Sequence, residues 1–104
     1  MLEINEANFV SETANGLVLV DFFADWCGPC RLLTPILEQI TGIKIAKVNV
    51  DDNQDLAATY NVTAIPKLLF MKDGQVVDQM VGLPKKEAIQ EKVNKLNESS
   101  VSNG

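Results

Sequence analysis

The chain has 104 residues, 46% of them hydrophobic, which suits one core and leaves no room for a second. Its formal charge of −5 disfavours binding to phosphate backbones, so nucleic acid is not an expected partner. No run approaches the roughly 18 apolar residues that suggest a membrane span, and "MLEINEANF" carries acidic residues where a secretory leader has basic ones, so a soluble, cytoplasmic protein is expected.

In chain order, "NEANFVSETA" reads as a short helix with Asn5 as its cap. "LVLVDFF", Leu17 to Phe23, is apolar on both faces, as in a strand covered on each side. "RLLTPILEQITG" places Leu33, Ile36, Leu37 and Ile40 on one stripe of an amphipathic helix ended by Gly42 and bent at Pro35. "IKIAKVNVD" is again a β-branched strand, and a right-handed crossover makes it the parallel neighbour of the preceding one.

"NQDLAATYN" reads as a further helix capped by Asn53. After Pro66, "KLLFM", Asp73-Gly74 and "QVVDQMV" form a hairpin signature, because Asp-Gly favours the turn that matches strand twist. "PKKEAIQEKVNKLN" closes the chain, with Pro84 at the first helical position and an Ile89, Val93, Leu96 stripe. The order is β-α-β-α-β-α-β-β-α, an α/β domain over residues 1–98 with helices on both faces of one mixed sheet. Residues 99–104, small and polar, are expected to fray.

The only cysteines are Cys27 and Cys30, and there is no histidine. A bridge closing so short a loop constrains the unfolded chain little, so structural stapling is a poor reason for the pair. A zinc site takes four ligands as a rule, leaving open only a zinc or cluster shared between two chains. At a strand-to-helix junction, unpaired N–H groups and the helix dipole favour a thiolate at Cys27, and one helical turn brings Cys30 beside it. Gly28 and Pro29 fit the turn into the helix. This is a geometry for thiol-disulfide exchange, in which Cys27 attacks a substrate disulfide and Cys30 resolves the mixed disulfide.

"VDFFADWCGPCRLLTPIL" resembles the active-site segment of the thioredoxin family, and the likeness continues through "IAKVNVDDN", "YNVTAIP", "DGQVV" and "VG" to about residue 97. The resemblance implies a thioredoxin fold: a single mixed sheet of about five strands flanked by four helices. It implies a protein-disulfide reductase without bound cofactor or metal, acting on protein disulfides and recharged by a separate thioredoxin reductase. A monomer is the simplest expectation. An oxidase or isomerase on the same fold, or a redox-independent binding subunit, are the alternatives.

Other residues gain meaning beside that resemblance. Alternation puts Asp21 on the face of Leu19 and Phe23, where a carboxylate needs a partner or takes up a proton. Read alone, it is either a structural acid held by backbone donors or a buried acid that accepts the Cys30 proton; the resemblance favours the second. Lys47 shares a face with Ile43 and Ile45, and the family pattern sets it near Asp21. Most X-Pro bonds are trans, but the resemblance implies a cis Ile65–Pro66 bond facing the dithiol. Trp26, Gly28, Pro29, Ile65, Pro66 and Gly82 would then form a flat docking surface, although singly Trp26 could be core and Gly82 a strand end.

Three features depart from the family pattern. Phe23 stands where tryptophan is frequent. Lys67 replaces a usual threonine after Pro66, as a solvated strand-end charge or as a group acting on acidic partners or the Cys27 thiolate. The passage from helix to strand at Thr41-Gly42 is about one helical turn short, so the second helix should be truncated away from the dithiol, with consequences for stability and for the placing of Lys47.

Overall fold

Strand β2, Leu17–Phe23, is apolar on both faces and must therefore be covered on both. The computed structural model, which describes residues 1–101 and their side chains through residue 98, places it at the centre of a five-stranded sheet of order β1-β3-β2-β4-β5. The other strands are β1 (Leu2–Glu3), β3 (Lys44–Asn49), β4 (Lys67–Lys72) and β5 (Gln75–Val81). β1 and β2 run parallel to β3, whereas β4 is antiparallel to both β2 and β5. The crossover strands are thus parallel neighbours, as the sequence requires.

Period-two alternation along β2 divides the core. Val18, Val20 and Phe22 face Ala46, Val48, Leu69 and Met71, covered by Phe9 of α1 (Phe9–Thr13) and by Leu56 of α3 (Gln54–Thr59) with Tyr60. Leu19 faces the opposite way with Leu68 and Phe70, covered by Leu33 and Leu37 of α2 (Gly28–Leu37) and by Ile89 and Val93 of α4 (Lys86–Val101). The hairpin turn carries positive φ at both Asp73 (50°) and Gly74 (83°), the primed geometry that Asp-Gly favours.

Several element ends differ from the sequence expectation. Asn5 does not cap α1; its Oδ1 accepts from the N–H groups of Ala7 and Asn8 in a turn before the helix, which starts after Asn8. Asn53 occupies the N-cap position of α3 without a side-chain cap bond. The Glu6 carboxylate takes that role from afar, accepting from Asp55 N–H at 3.0 Å and Leu56 N–H at 3.4 Å. Pro84 lies before α4 rather than at its first position, since helical bonding starts from the Lys85 carbonyl. Helix α4 runs to Val101, so helical backbone extends beyond the expected domain end at residue 98. Of the expected frayed tail, residues 102–104 lie outside the described residues.

Helix α2 stops at Leu37, so Ile40 and Gly42 lie beyond its end, although Ile40 still reaches the core. Truncation leaves a short corner before β3, and α4 secures it. Gln90 Oε1 accepts from Thr41 N–H at 3.0 Å while its Nε2 donates to Thr41 O at 2.9 Å, pairing with the peptide as a strand would. Asn97 Nδ2 donates to Gly42 O at 3.0 Å. Gly42 turns with φ +87°, and a Cβ there would come within 3.3 Å of Asn97 Nδ2. Gln90→Ala is expected to lower unfolding stability by about 1 kcal/mol, the net value of two partly exposed hydrogen bonds. Urea unfolding checks this through a lowered midpoint with an unchanged slope; an unmoved midpoint would refute the role of the amide pair.

Candidate active site

The sheet sends β2 directly into the turn that begins α2. Ala24, Asp25 and Trp26 make the turn, and Cys27 is the N-cap of the helix in extended conformation (φ −87°, ψ 110°). Its sulfur accepts from the Cys30 N–H at 3.2 Å, taking the place that a serine or aspartate oxygen fills at ordinary caps. Pro29 loses no helical bond in this first turn. Cys27 and Cys30 are joined as a disulfide with Cα atoms 5.3 Å apart, both buried beside Phe23, Ala24, Val50 and Ile65. Among the described residues no group of three His, Cys, Asp or Glu is placed to hold a metal ion.

On β2, two residues before Phe23, Asp21 is 0% exposed, with neither carboxyl oxygen hydrogen-bonded. A structural acid held by backbone donors is therefore excluded. Burial pushes its pKa up to about 6, opposed by the charge of Lys47. Lys47 is Asp21's register partner on β3, so the two side chains rise from the same face of the sheet. The shortened corner leaves this placement intact. The ammonium stands 4.3 Å from the centre of the Phe23 ring and donates to Thr34 Oγ1 at 3.4 Å. Phe23, at the position where tryptophan is frequent, thus serves as an aromatic seat for the lysine. A cleft of about 120 Å³, lined in part by Cys30, Thr34, Lys47 and Arg31, reaches this region from outside. It has room for water.

On the outer side Trp26 is 68% exposed, which excludes a core role. Its Nε1 donates to Asp51 Oδ2 at 3.0 Å, and Asp51 is held in turn by Asn49, whose Oδ1 accepts from Asp51 N–H at 2.9 Å. An apolar groove of about 180 Å³ runs from Trp26 along Val62, Thr63, Ala64 and Ile65. The Ile65–Pro66 peptide is cis. Pro66 is buried, and its carbonyl accepts from Gly82 N–H at 2.9 Å, which ties the end of β5 to the same surface. Gly82 has φ +91°, and a Cβ at either Gly82 or Gly28 would meet nothing within 4 Å, so both glycines leave open space above the backbone.

Of the expected residues, Asp21 and Lys47 pair in register on the sheet, Trp26 and Ile65 line the outer groove, Gly28 and Pro29 open helix α2 after Cys27, and buried Pro66 accepts from Gly82 N–H. Lys67 departs from the reading of a solvated strand-end charge: it is buried, and its Nζ donates to Tyr60 O at 3.0 Å and Asn61 O at 3.2 Å. Thr34, Asn49 and Asp51 were not singled out from sequence; Thr34 is one helical turn after Cys30, the only local signal that places it near the site.

A model of the thioredoxin family matches residues 1–95. The thioredoxin of Bacillus subtilis is 46% identical over 100 residues, covering 91% of this chain and 96% of the relative. The thioredoxin of Chlamydia pneumoniae is 51% identical over 96 residues, covering 88% and 94%. Among solved structures, a mutant thioredoxin from Halobacterium salinarum superposes with a TM-score of 0.81 at 38% identity, covering 90% of this chain and 88% of that one. Sequence, backbone and the Cys27–Cys30 bridge thus agree: this chain belongs to the thioredoxin family and is a thiol-disulfide oxidoreductase.

Proposed function

We propose that the Cys27 thiolate opens the substrate disulfide and that Asp21 prepares Cys30 for the second exchange. The observation that supports this reading is a sulfur at the helix N-cap next to exposed Trp26, together with an unpartnered buried carboxyl at Asp21 whose register partner Lys47 shares a cleft with Cys30. Attack by Cys27 forms a mixed disulfide and expels one substrate thiolate. Cys30 then passes its proton to ionised Asp21, directly or through water in the cleft, and attacks the Cys27 sulfur. The second substrate thiolate leaves, two electrons have moved to the substrate, and the internal disulfide remains. Lys47 supplies positive charge near Asp21 that favours the ionised carboxylate.

The outer surface supports protein substrates. Trp26 and Ile65 border an apolar groove, and the backbone beside Ile65 would pair with an extended substrate segment in the manner of an added strand. Gly28, Pro29, Pro66 and Gly82 keep the approach to Cys27 low. The family implies a reductase partner in general; we assign to this chain a thioredoxin reductase, a monomeric working state and the cytoplasm, where a reducing dithiol is kept reduced.

Cys27→Ser is expected to abolish reduction of insulin disulfides, while Cys30→Ser accumulates a mixed disulfide visible by non-reducing electrophoresis. A Cys30→Ser protein that turns over normally would overturn the assignment of roles. Asp21→Asn is expected to slow the second exchange by about 100-fold, the lower range of general acid–base contributions. In the parent protein the rate of that step is expected to rise as Asp21 ionises near pH 6. Stopped-flow measurement across pH 5–8 checks both.

Asp21 also gives a stability signature. Its folded pKa of about 6 lies above the ordinary 3.8, so its contribution is full below about pH 4 and is lost as pH rises through 6. The oxidised protein should lose on the order of 3 kcal/mol across that window relative to Asp21→Asn, since each tenfold change in proton affinity corresponds to about 1.4 kcal/mol. Parallel pH profiles for the two proteins in urea would contradict it.

A further inference from the structure

Helix α3 ends in a Schellman motif. Val62 N–H donates to Ala57 O at 2.8 Å, Asn61 N–H donates to Ala58 O at 3.1 Å, and Asn61 adopts the left-handed conformation with φ 55°. This arrangement satisfies carbonyls within the helix but leaves those of Tyr60 and Asn61 pointing out of it. They mark the start of an irregular segment, residues 61–66, that holds the groove residues Val62, Thr63, Ala64 and Ile65 and ends at cis Pro66.

Lys67 is the first residue of β4, directly after that segment. Its side chain is only 7% exposed and turns back across the sheet face occupied by Phe22, its register partner on β2. The ammonium meets the two outward carbonyls at 3.0 and 3.2 Å. The segment is thereby closed into a ring: its last neighbour holds its first two peptide groups. A buried ammonium is costly without partners, and hydrogen bonds to a charged donor are stronger than neutral ones. The negative end of the α3 dipole adds to the attraction. Backbone bonds anchor the segment at Asn61 and Val62 on one side and at Pro66 O on the other, so the ring closure acts on the stretch between them.

We infer that Lys67 is a positioning residue for protein-substrate docking: by holding Tyr60 O and Asn61 O it keeps the Val62–Ile65 edge in a form ready to pair with an extended chain. This rests on the docking role proposed for Trp26 and Ile65. A pre-set edge spares the complex the ordering of a loop, so its effect belongs in binding of large partners and not in the sulfur chemistry. The Lys67 ammonium is engaged by backbone carbonyls, and its influence travels through the backbone it holds.

Lys67→Met keeps the apolar stem and removes the donor. With insulin as substrate, KM is expected to rise about fivefold or more with kcat little changed. Turnover of the small disulfide 5,5′-dithiobis(2-nitrobenzoate), which needs no strand pairing, should move less than about twofold, and Lys67→Arg should restore part of the insulin KM. A folded Lys67→Met protein with the parental insulin KM, or with equal losses on both substrates, overturns the inference. Trp26→Ala separates the two levels: if it leaves the insulin KM unchanged, the docking reading itself fails, whereas a raised KM with Trp26→Ala beside an unaffected Lys67→Met refutes only the role of Lys67. The parent protein gives a test that needs no variant to fold. The Lys67 ammonium should appear in nitrogen-15 NMR as a slowly exchanging group with couplings to the carbonyls of Tyr60 and Asn61, and a rapidly exchanging ammonium would overturn the ring closure.

Discussion

The confinement of β2 between two apolar layers is the constraint on which the site depends. A strand covered on both faces has no freedom to slip, because a shift of one residue would turn Leu19 toward the α1–α3 layer and Val20 toward the α2–α4 layer. The position of Cys27 follows from that register. Three residues, Ala24 to Trp26, separate the strand from the N-cap Cys27, so the start of α2 is fixed at the sheet end. The reactive sulfur therefore takes its place from packing far from it.

The same alternation brings a carboxyl group into the apolar layer. Asp21 and Lys47 are register partners, but Phe23 and Thr34 receive the ammonium, and the carboxyl oxygens remain without hydrogen bonds. A closely paired aspartate would be a weaker base and would hold its charge down to low pH. Burial holds Asp21 near the neutral range against the opposing charge of Lys47, and that is the range which the proposed proton acceptor needs.

Much of this was legible in the chain. Period two in "LVLVDFF", the Asp-Gly turn and the apolar stripe of α4 are local signals, and each element appears where they put it. The cysteine spacing together with the strand-to-helix change located the dithiol. Helix ends were less legible, because their partners are remote: Glu6 caps α3 across 49 residues of sequence, and no pattern around Asn53 reveals it. Lys67 failed for the same reason. A lysine at a strand end is usually solvated, and only the fold shows two free carbonyls within reach of its stem. The cis peptide was readable through family resemblance alone, since nothing in Ile65-Pro66 itself favours it over trans.

The truncated corner between α2 and β3 changes how the molecule comes apart. With Thr41 and Gly42 bonded to Gln90 and Asn97, the corner takes its order from α4 and not from its own helix. Fluctuations that lift α4 from the sheet therefore release the corner with it. The order of the connection between α2 and β3 is tied to the docking of the last helix and not to the helix that precedes it.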